Sequence, residues 1–325
     1  MSSPALSPST LASPAPSPSA PPAVRLRPWS TPTAAEEDRV GIVAGWGNFP
    51  VEVAERLVAE GKQLVIVALK GHADPRLAQY ATHIKWFGVL QIGGHMRFLA
   101  QHGVSRVAFA GKLFKDRILY HGLGWIAHLP DPTCLRILGG SFVTRSRDAC
   151  DDTILSAVTT AFLAKGIDVL PITDIAPSLL AEEGCLTRKQ PSRRQRLDIQ
   201  FGWSIAQGMG ALDVGQSITV KDQLVLAVEA IEGTDALLAR SGKLCPRGGF
   251  SLIKVAKPQQ DMRFDVPTIG LKTVQGLVQA GGQVIAIEAG RTLLVDRDAA
   301  LAYADQHGVV IISLAGPAAL DQDLG

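Results

Sequence analysis

A strand–turn–helix–strand unit near the start of the apolar sequence constrains this chain most. Residues 40–44 form a short apolar run, and Gly45-Trp46-Gly47-Asn48-Phe49-Pro50 is a glycine turn. Residues 51–60 then place Val51, Ala54, Leu57 and Val58 at helical spacing, and Gly61 stops the helix. Residues 63–69 are continuously apolar at their centre, as a strand buried on both faces must be. Two such strands joined by a helix run parallel, because a parallel pair needs a long crossover. The rhythm continues with a helix expected over 89–102, a strand over 106–110, a helix over 148–164 and a strand over 167–170. The fold class is therefore α/β, with a Rossmann-like N-terminal domain over residues 40–180.

The rhythm then changes. Residues 181–197 are polar and cluster Arg188, Lys189, Arg193, Arg194 and Arg196, which reads as an interdomain linker. Its charge fits either a solvated loop or a contact with phosphates or an anionic membrane surface. Residues 198–325 form a second α/β domain with a mixed sheet. Residues 217–220 and 224–229 flank Lys221-Asp222-Gln223 as a hairpin, and strands are expected at 251–256, 266–269, 284–287, 292–295 and 309–313. Helices are expected at 235–240, 273–280 and 297–307, and no internal repeat is present.

Residues 1–39 stand apart. Nine of the 20 prolines fall within the first 32 residues, among Ser, Ala and Thr. Such a stretch buries too little apolar surface to offset the entropy of ordering and reads as a disordered tail. It lacks the basic start and unbroken apolar run of a secretory signal. Because the folded pattern begins only at Val40, a start codon set too far upstream is the alternative. The 32 basic and 30 acidic residues leave a net charge of +2, no field for general nucleic-acid binding. The four cysteines are scattered without a C-x-x-C, so a reducing cytoplasm is the default compartment. No run of about 18 apolar residues reads as a membrane span.

The glycine turn is G-x-G-x-x-P. Gly45, Gly47 and Asn48 precede a helix, so their amides could meet a phosphate or sugar, or simply make a tight turn. The second strand ends in Lys70, where a dinucleotide site puts an acid for the ribose. Gly111 and Lys112 end another strand, at the edge where open α/β sheets bind ligands; Lys112 suits a phosphate or is a solvated strand end. Asp151-Asp152 reads as a helix cap or a polar contact at the site. The densest polar set lies in the second domain: Asp213 and Gln216; Glu229, Glu232, Thr234 and Asp235; Lys257, Asp261 and Asp265; and Glu288. These carboxylates end apolar strands, so they make either one shared site or scattered caps and turns. Gathered together, they suit Mg²⁺ or Mn²⁺ and a transferring phosphoryl group. The seven histidines show no H-E-x-x-H, and neither a G-x-S-x-G elbow nor a Walker A loop occurs.

These motifs together resemble the LpxI family, UDP-2,3-diacylglucosamine pyrophosphatases of lipid A biosynthesis. The matching stretches are Gly41-Ile42-Val43-Ala44-Gly45-x-Gly47-x-x-Pro50, Phe109-Ala110-Gly111, Asp151-Asp152 and Asp213-Val214-Gly215-Gln216. Glu232-Gly233-Thr234-Asp235-Ala236, Lys257-Pro258 through Gly270, and Glu288-Ala289-Gly290 follow in order. The E-G-T-D-A and R-x-D-x-P-T-x-G blocks are the specific ones. The tail and a stretch at 115–147 look longer than the family pattern. The resemblance implies a two-domain, dimeric, cytoplasmic enzyme touching the inner membrane, with a lipid-linked nucleotide sugar held between the domains. It implies metal-assisted hydrolysis to UMP and 2,3-diacylglucosamine 1-phosphate, and it puts the family's essential aspartate at Asp265.

The expected machinery follows from those positions. Asp265, with Asp235 or Glu232, would place Mg²⁺ or Mn²⁺ on the diphosphate, and Lys257 would neutralise a non-bridging oxygen. Gly45, Gly47, Asn48, Gly111, Lys112, Gln216, Thr234 and Asp261 are the expected substrate contacts, and the second domain would line a chamber for two acyl chains. A non-catalytic nucleotide-sugar-binding regulator and a nicotinamide-dependent oxidoreductase are the rival readings.

Overall fold

A computed structural model describes residues 38–112, 129–143 and 151–320. The proline-rich segment expected as a tail, and most of the stretch that looks longer than the family pattern, lie outside the described residues. The first domain alternates β1 (Arg39–Ala44), α1 (Phe49–Ala59), β2 (Gln63–Leu69), β3 (His83–Phe87), α2 (Ile92–Gln101) and β4 (Arg106–Ala110). Two further helices, α3 (Pro132–Val143) and α4 (Asp151–Leu163), precede β5 (Asp168–Val169). The described part of α4 begins at Asp151, and the cap or polar contact expected of Asp151-Asp152 lies outside the described residues.

All five strands are parallel, in the order β3-β2-β1-β4-β5. Strand order reverses between β1 and β4, and the carboxyl ends at such a point are where open α/β sheets bind ligands. One face of the sheet is sealed by Val43, Val65, Val67, Met96, Leu99 and Phe162, the other by Ile42, Leu57, Leu64, Ile66 and Leu77. Each such fully buried aliphatic side chain contributes about 1.5–3 kcal/mol.

The second domain carries a six-stranded mixed sheet, ordered β6 (Gly184–Cys185), β13 (Val310–Leu314), β11 (Val284–Glu288), β9 (Ser251–Lys254), β7 (Ser217–Lys221), β8 (Leu224–Val228). Strands β9, β11 and β13 are parallel; β6, β7 and β8 each run antiparallel to an inner neighbour. The β7–β8 hairpin forms as expected, with Asp222 and Gln223 both at positive φ, as a type I′-like turn demands. Helices α5 (Arg193–Ala211), α6 (Gly233–Leu244), α7 (Leu271–Gln279) and α8 (Arg297–Gln306) cover the sheet.

The linker expected over 181–197 is not one. Ala181 is buried in the second core, Gly184–Cys185 pair with β13, and Arg193 starts the 19-residue helix α5. A capping box closes that helix start: Ser192 Oγ accepts from Gln195 N, and Gln195 Oε1 accepts from Ser192 N. The arginines that look like a loop therefore lie on the first turn of a helix whose other face carries buried Ile199, Trp203 and Ala206.

The two domains join through segments that cross between them. β10 (Thr268–Ile269) and β12 (Leu293–Leu294) make a parallel two-stranded ribbon, and Leu293 is buried against the first domain's core. Asp296, just beyond β12, bonds to the first helix of the other domain: its amide donates to Glu52 and its carboxylate accepts from Asn48.

Candidate functional site

The glycine turn after β1 is tied to the chain after β4. Trp46 N donates to Lys112 O at 2.8 Å, and Lys112 N donates to Trp46 O at 2.9 Å. A side chain at Gly45 would stand 2.8 Å from Lys112 O, and one at Gly111 would stand 2.8 Å from Pro50 and 2.9 Å from Trp46 O. Gly111 also sits at φ +94°, where a Cβ is strained. The turn is thus closed against the chain after β4 on the Gly45 side, while Gly47 faces open space. Asn48 is likewise committed: its amide nitrogen donates to Glu52 and Asp296, and its oxygen accepts from Arg76 at 2.8 Å. What the turn presents is Lys112, locked at the carboxyl edge of the sheet.

The segment 257–267 brings the second domain to that edge. Phe264 packs on one face of the first sheet, its ring 5.6 Å from that of Phe109 in β4. Val266 packs against the core on the opposite face. The chain therefore crosses the edge of the sheet at Asp265, between its two anchors. Gln260 braces the same turn: its amide nitrogen donates to Asp265 at 2.6 Å, and its oxygen accepts from Lys257 N at 2.9 Å. Asp261 is held by Arg263 through a bidentate pair, which keeps its carboxyl below the usual range.

Asp265 is exposed to an open cavity of about 330 Å³, also lined by Asp213, Gln216, Glu229 and Lys257. Across that cavity Lys257 Nζ pairs with Asp213 at 2.6 Å. Gly215 makes the wall: a Cβ there would fall 2.1 Å from Glu229 O, so only glycine lets the chain leading into β7 lie against the end of β8. Three apolar residues near the cavity, Leu212, Val214 and Ile231, are exposed to solvent.

Beside the cavity lies a group that the sequence reasoning missed. Lys254 ends β9 and is only 6% exposed. Its ammonium donates to Thr234 Oγ1 at 3.1 Å, and Thr234 Oγ1 donates to Glu229 Oε1 at 2.7 Å. Burial pulls the Lys254 pKa down, while the negative charges of Glu229, Asp265 and Asp235 resist the fall; Lys112, reaching in from the first domain, adds to it. Charged groups of both domains therefore act on one another at this point. The signal was present in Ser251-Leu252-Ile253-Lys254: a lysine that closes a fully buried strand needs partners at the sheet edge.

Other expected residues are placed differently. Asp235 opens α6 and pairs with Lys272 at 2.7 Å, on the wall of a neighbouring open cavity of about 740 Å³. Glu232 gives one oxygen to Arg240 at 2.7 Å and the other to Ala230 N. Glu288 braces the edge of the second sheet by accepting from Ala256 N and Arg291. The cavity thus gathers Asp265, Lys257 and Gln216 of the expected set. Thr234 accepts from Lys254, and Lys112 lies within electrostatic reach of it.

An oxygen-binding cation is tested by the polar atoms left over. Gln216 Oε1 and Glu229 Oε2 accept no hydrogen bond but are buried, so the carboxylates open to the cavity are those of Asp265 and Asp213. Among the described residues no three His, Cys, Asp or Glu side chains form a ready metal cage. Mg²⁺ does not require one, since it is commonly held by one or two carboxylates together with substrate phosphates and water. The residues present fit such an ion with Asp265 as the protein's ligand. Among the described residues no helix is long and apolar enough to cross a membrane.

Comparison with known proteins agrees with this layout. Residues 39–179 match the LpxI N-terminal domain and residues 182–312 the LpxI C-terminal domain. The chain is 33% identical over 283 residues to the UDP-2,3-diacylglucosamine pyrophosphatase LpxI of Caulobacter vibrioides, covering 85% of this chain and 97% of that protein. The chain belongs to the LpxI family.

Proposed function

We propose that this protein hydrolyses the diphosphate of UDP-2,3-diacylglucosamine, releasing UMP and 2,3-diacylglucosamine 1-phosphate for lipid A synthesis. The observation that carries this reading is the cavity beside the domain junction. There Asp265, whose neighbours Phe264 and Val266 anchor on the two faces of the first sheet, meets Lys257 and Gln216 of its own domain, with Lys254 and the first domain's Lys112 nearby. A diphosphate brings about two negative charges, and a site with three lysines offsets them.

Each residue has a task in this reading. Lys257 exchanges its exposed partner Asp213 for a non-bridging phosphate oxygen. Lys254 lies behind the cavity, where burial makes its ammonium act over a longer range than a solvated one while disfavouring the charge itself. Gln260 keeps the Asp265 carboxylate turned into the junction. Asp265 would hold Mg²⁺ or Mn²⁺, which supplies charge neutralisation on the diphosphate. The exposed Leu212, Val214 and Ile231 offer an apolar surface for the acyl chains, at the place where a lipid substrate would leave the membrane. Work at the cytoplasmic face of the inner membrane, as a homodimer, belongs to the same reading.

The nicotinamide reading lacks the acid that would take the ribose hydroxyls, because Lys70 follows the end of β2. Incubation with UDP-2,3-diacylglucosamine and Mg²⁺ or Mn²⁺ in ¹⁸O-water, followed by phosphorus NMR, tests the proposal. UMP and the sugar 1-phosphate should appear, with ¹⁸O in one of them. Tight binding of the nucleotide sugar without UMP release under either metal would favour a regulator instead.

A further inference from the structure

We infer that Asp213 is a further residue of the site, an internal competitor whose carboxylate stands on Lys257 in the place of a phosphate. The inference rests on the hydrolase reading above and adds to it a residue that sets how tightly the site holds phosphate. Asp213 and Lys257 line the same open cavity as Asp265. The Asp213 side chain is 85% exposed and that of Lys257 24% exposed, so the carboxylate comes from the solvent side. Its Oδ1 accepts from Lys257 Nζ at 2.6 Å, a close charge-assisted bond.

Local structure argues against a carboxylate at this position. Leu212 caps α5, and Asp213 follows it with a left-handed backbone, at φ +56°. The Asp213 amide donates to Gly210 O and the Val214 amide to Met209 O, the paired bonds of a Schellman ending. Glycine is the usual residue there and asparagine the next, because a Cβ is strained in that conformation. The carboxylate also faces the negative end of the helix dipole, where a cation or a neutral group is favoured. Backbone geometry and helix electrostatics thus both disfavour an aspartate, and its counterpart is Lys257. Such a conflict between local preference and sequence is expected at functional positions. An exposed ion pair contributes little and is readily exchanged. The carboxylate therefore yields Lys257 to a diphosphate, whose remaining charge also draws on the nearby Lys254 and Lys112. After cleavage it returns to Lys257 and helps the product leave.

The test is calorimetric titration of the full chain with inorganic pyrophosphate, at low ionic strength and without metal. Wild type, Asp213→Asn, Lys257→Met and the double variant are compared. Asparagine tolerates the left-handed backbone and removes the charge. Asp213→Asn should tighten pyrophosphate about fivefold, the most that an exposed ion pair contributes. In the Lys257→Met background the same change should alter binding by less than about twofold. Asp213→Gly should reproduce the effect of asparagine and melt at or above the wild-type temperature. Unchanged binding in both Asp213 variants would overturn the inference, and a lowered melting temperature with it would make the pair a plain structural bridge. Weaker binding would overturn it, because Asp213 would then hold the ligand. Equal tightening with and without Lys257 would overturn it as well, since the carboxylate would only repel anions at a distance. Absence of pyrophosphate binding in all four proteins would overturn it by removing the phosphate seat. UMP release by the wild type is measured alongside. A wild type that releases none sinks the hydrolase reading, whereas an active wild type without coupling between Asp213 and Lys257 sinks this inference alone.

Discussion

Glu52→Gln should stabilise this protein at alkaline pH and leave it unchanged in acid. Glu52 lies in α1, where one oxygen accepts from Asn48 and the other from the Asp296 amide across the domain junction. Its pKa is raised from 4.5 to about 7, chiefly by burial and further by the Asp296 carboxylate beside it. A carboxyl whose folded pKa is raised binds its proton more tightly in the folded state. Its cost is therefore absent below the unfolded value, grows as pH climbs from 4.5 through about 7, and is constant above. The full gap corresponds to about 3 kcal/mol; the site is partly open to solvent, and screening reduces this to about 1–2 kcal/mol. Gln mimics the neutral form at every pH. Urea unfolding of both proteins at about pH 5 and about pH 8, followed by circular dichroism, measures the difference. The variant should gain about 1–2 kcal/mol at the higher pH and nothing at the lower. An equal difference at both pH values, or a loss at the higher, would refute the argument.

Two further outcomes follow from the site. Gly111→Ala forces a Cβ to within 2.8 Å of Pro50 at φ +94°, so it should cost about 2–4 kcal/mol and lower the melting temperature by several degrees. A melting curve unchanged from wild type would mean that the turn is not pinned as described. Chelation should abolish UMP release, and Mg²⁺ or Mn²⁺ should restore it without change in the far-ultraviolet circular dichroism. Full activity in excess chelator would remove the metal from the proposal.

Much of the fold is legible in the sequence because each element carries its own period. β2 falls on 63–69 and the β7–β8 hairpin on its Asp222-Gln223 turn, as expected, because burial on both faces and positive φ leave strong local marks. Helix α5 escapes for the opposite reason. Its first turn is arginine-rich, and Gly202 faces the sheet, where a Cβ would meet Ile253 at 2.8 Å. Close packing there demands a poor helix former. The Ser192-x-x-Gln195 capping box is the signal that marks its start. β3 and β6 are too short or too weakly apolar to stand out, and only pairing defines them.

The site is legible in part. The family resemblance points to Asp265, and the polar segment 257–267 carries Lys257 to the same cavity. Which carboxylates are already committed is a matter of geometry: Asp261 belongs to Arg263, Glu232 to Arg240 and Asp235 to Lys272. Lys254 hides within an apolar strand, and only the structure shows that the Thr234 hydroxyl links it to Glu229.

Asp265→Ala gives the most direct measurement on the central claim, that the aspartate held across the edge of the first sheet is indispensable to cleavage. UMP release from UDP-2,3-diacylglucosamine by the purified variant is compared with wild type, alongside binding of the intact nucleotide sugar and the melting temperature. The account predicts a folded variant that binds substrate and releases no UMP above background. UMP release near the wild-type rate would contradict it.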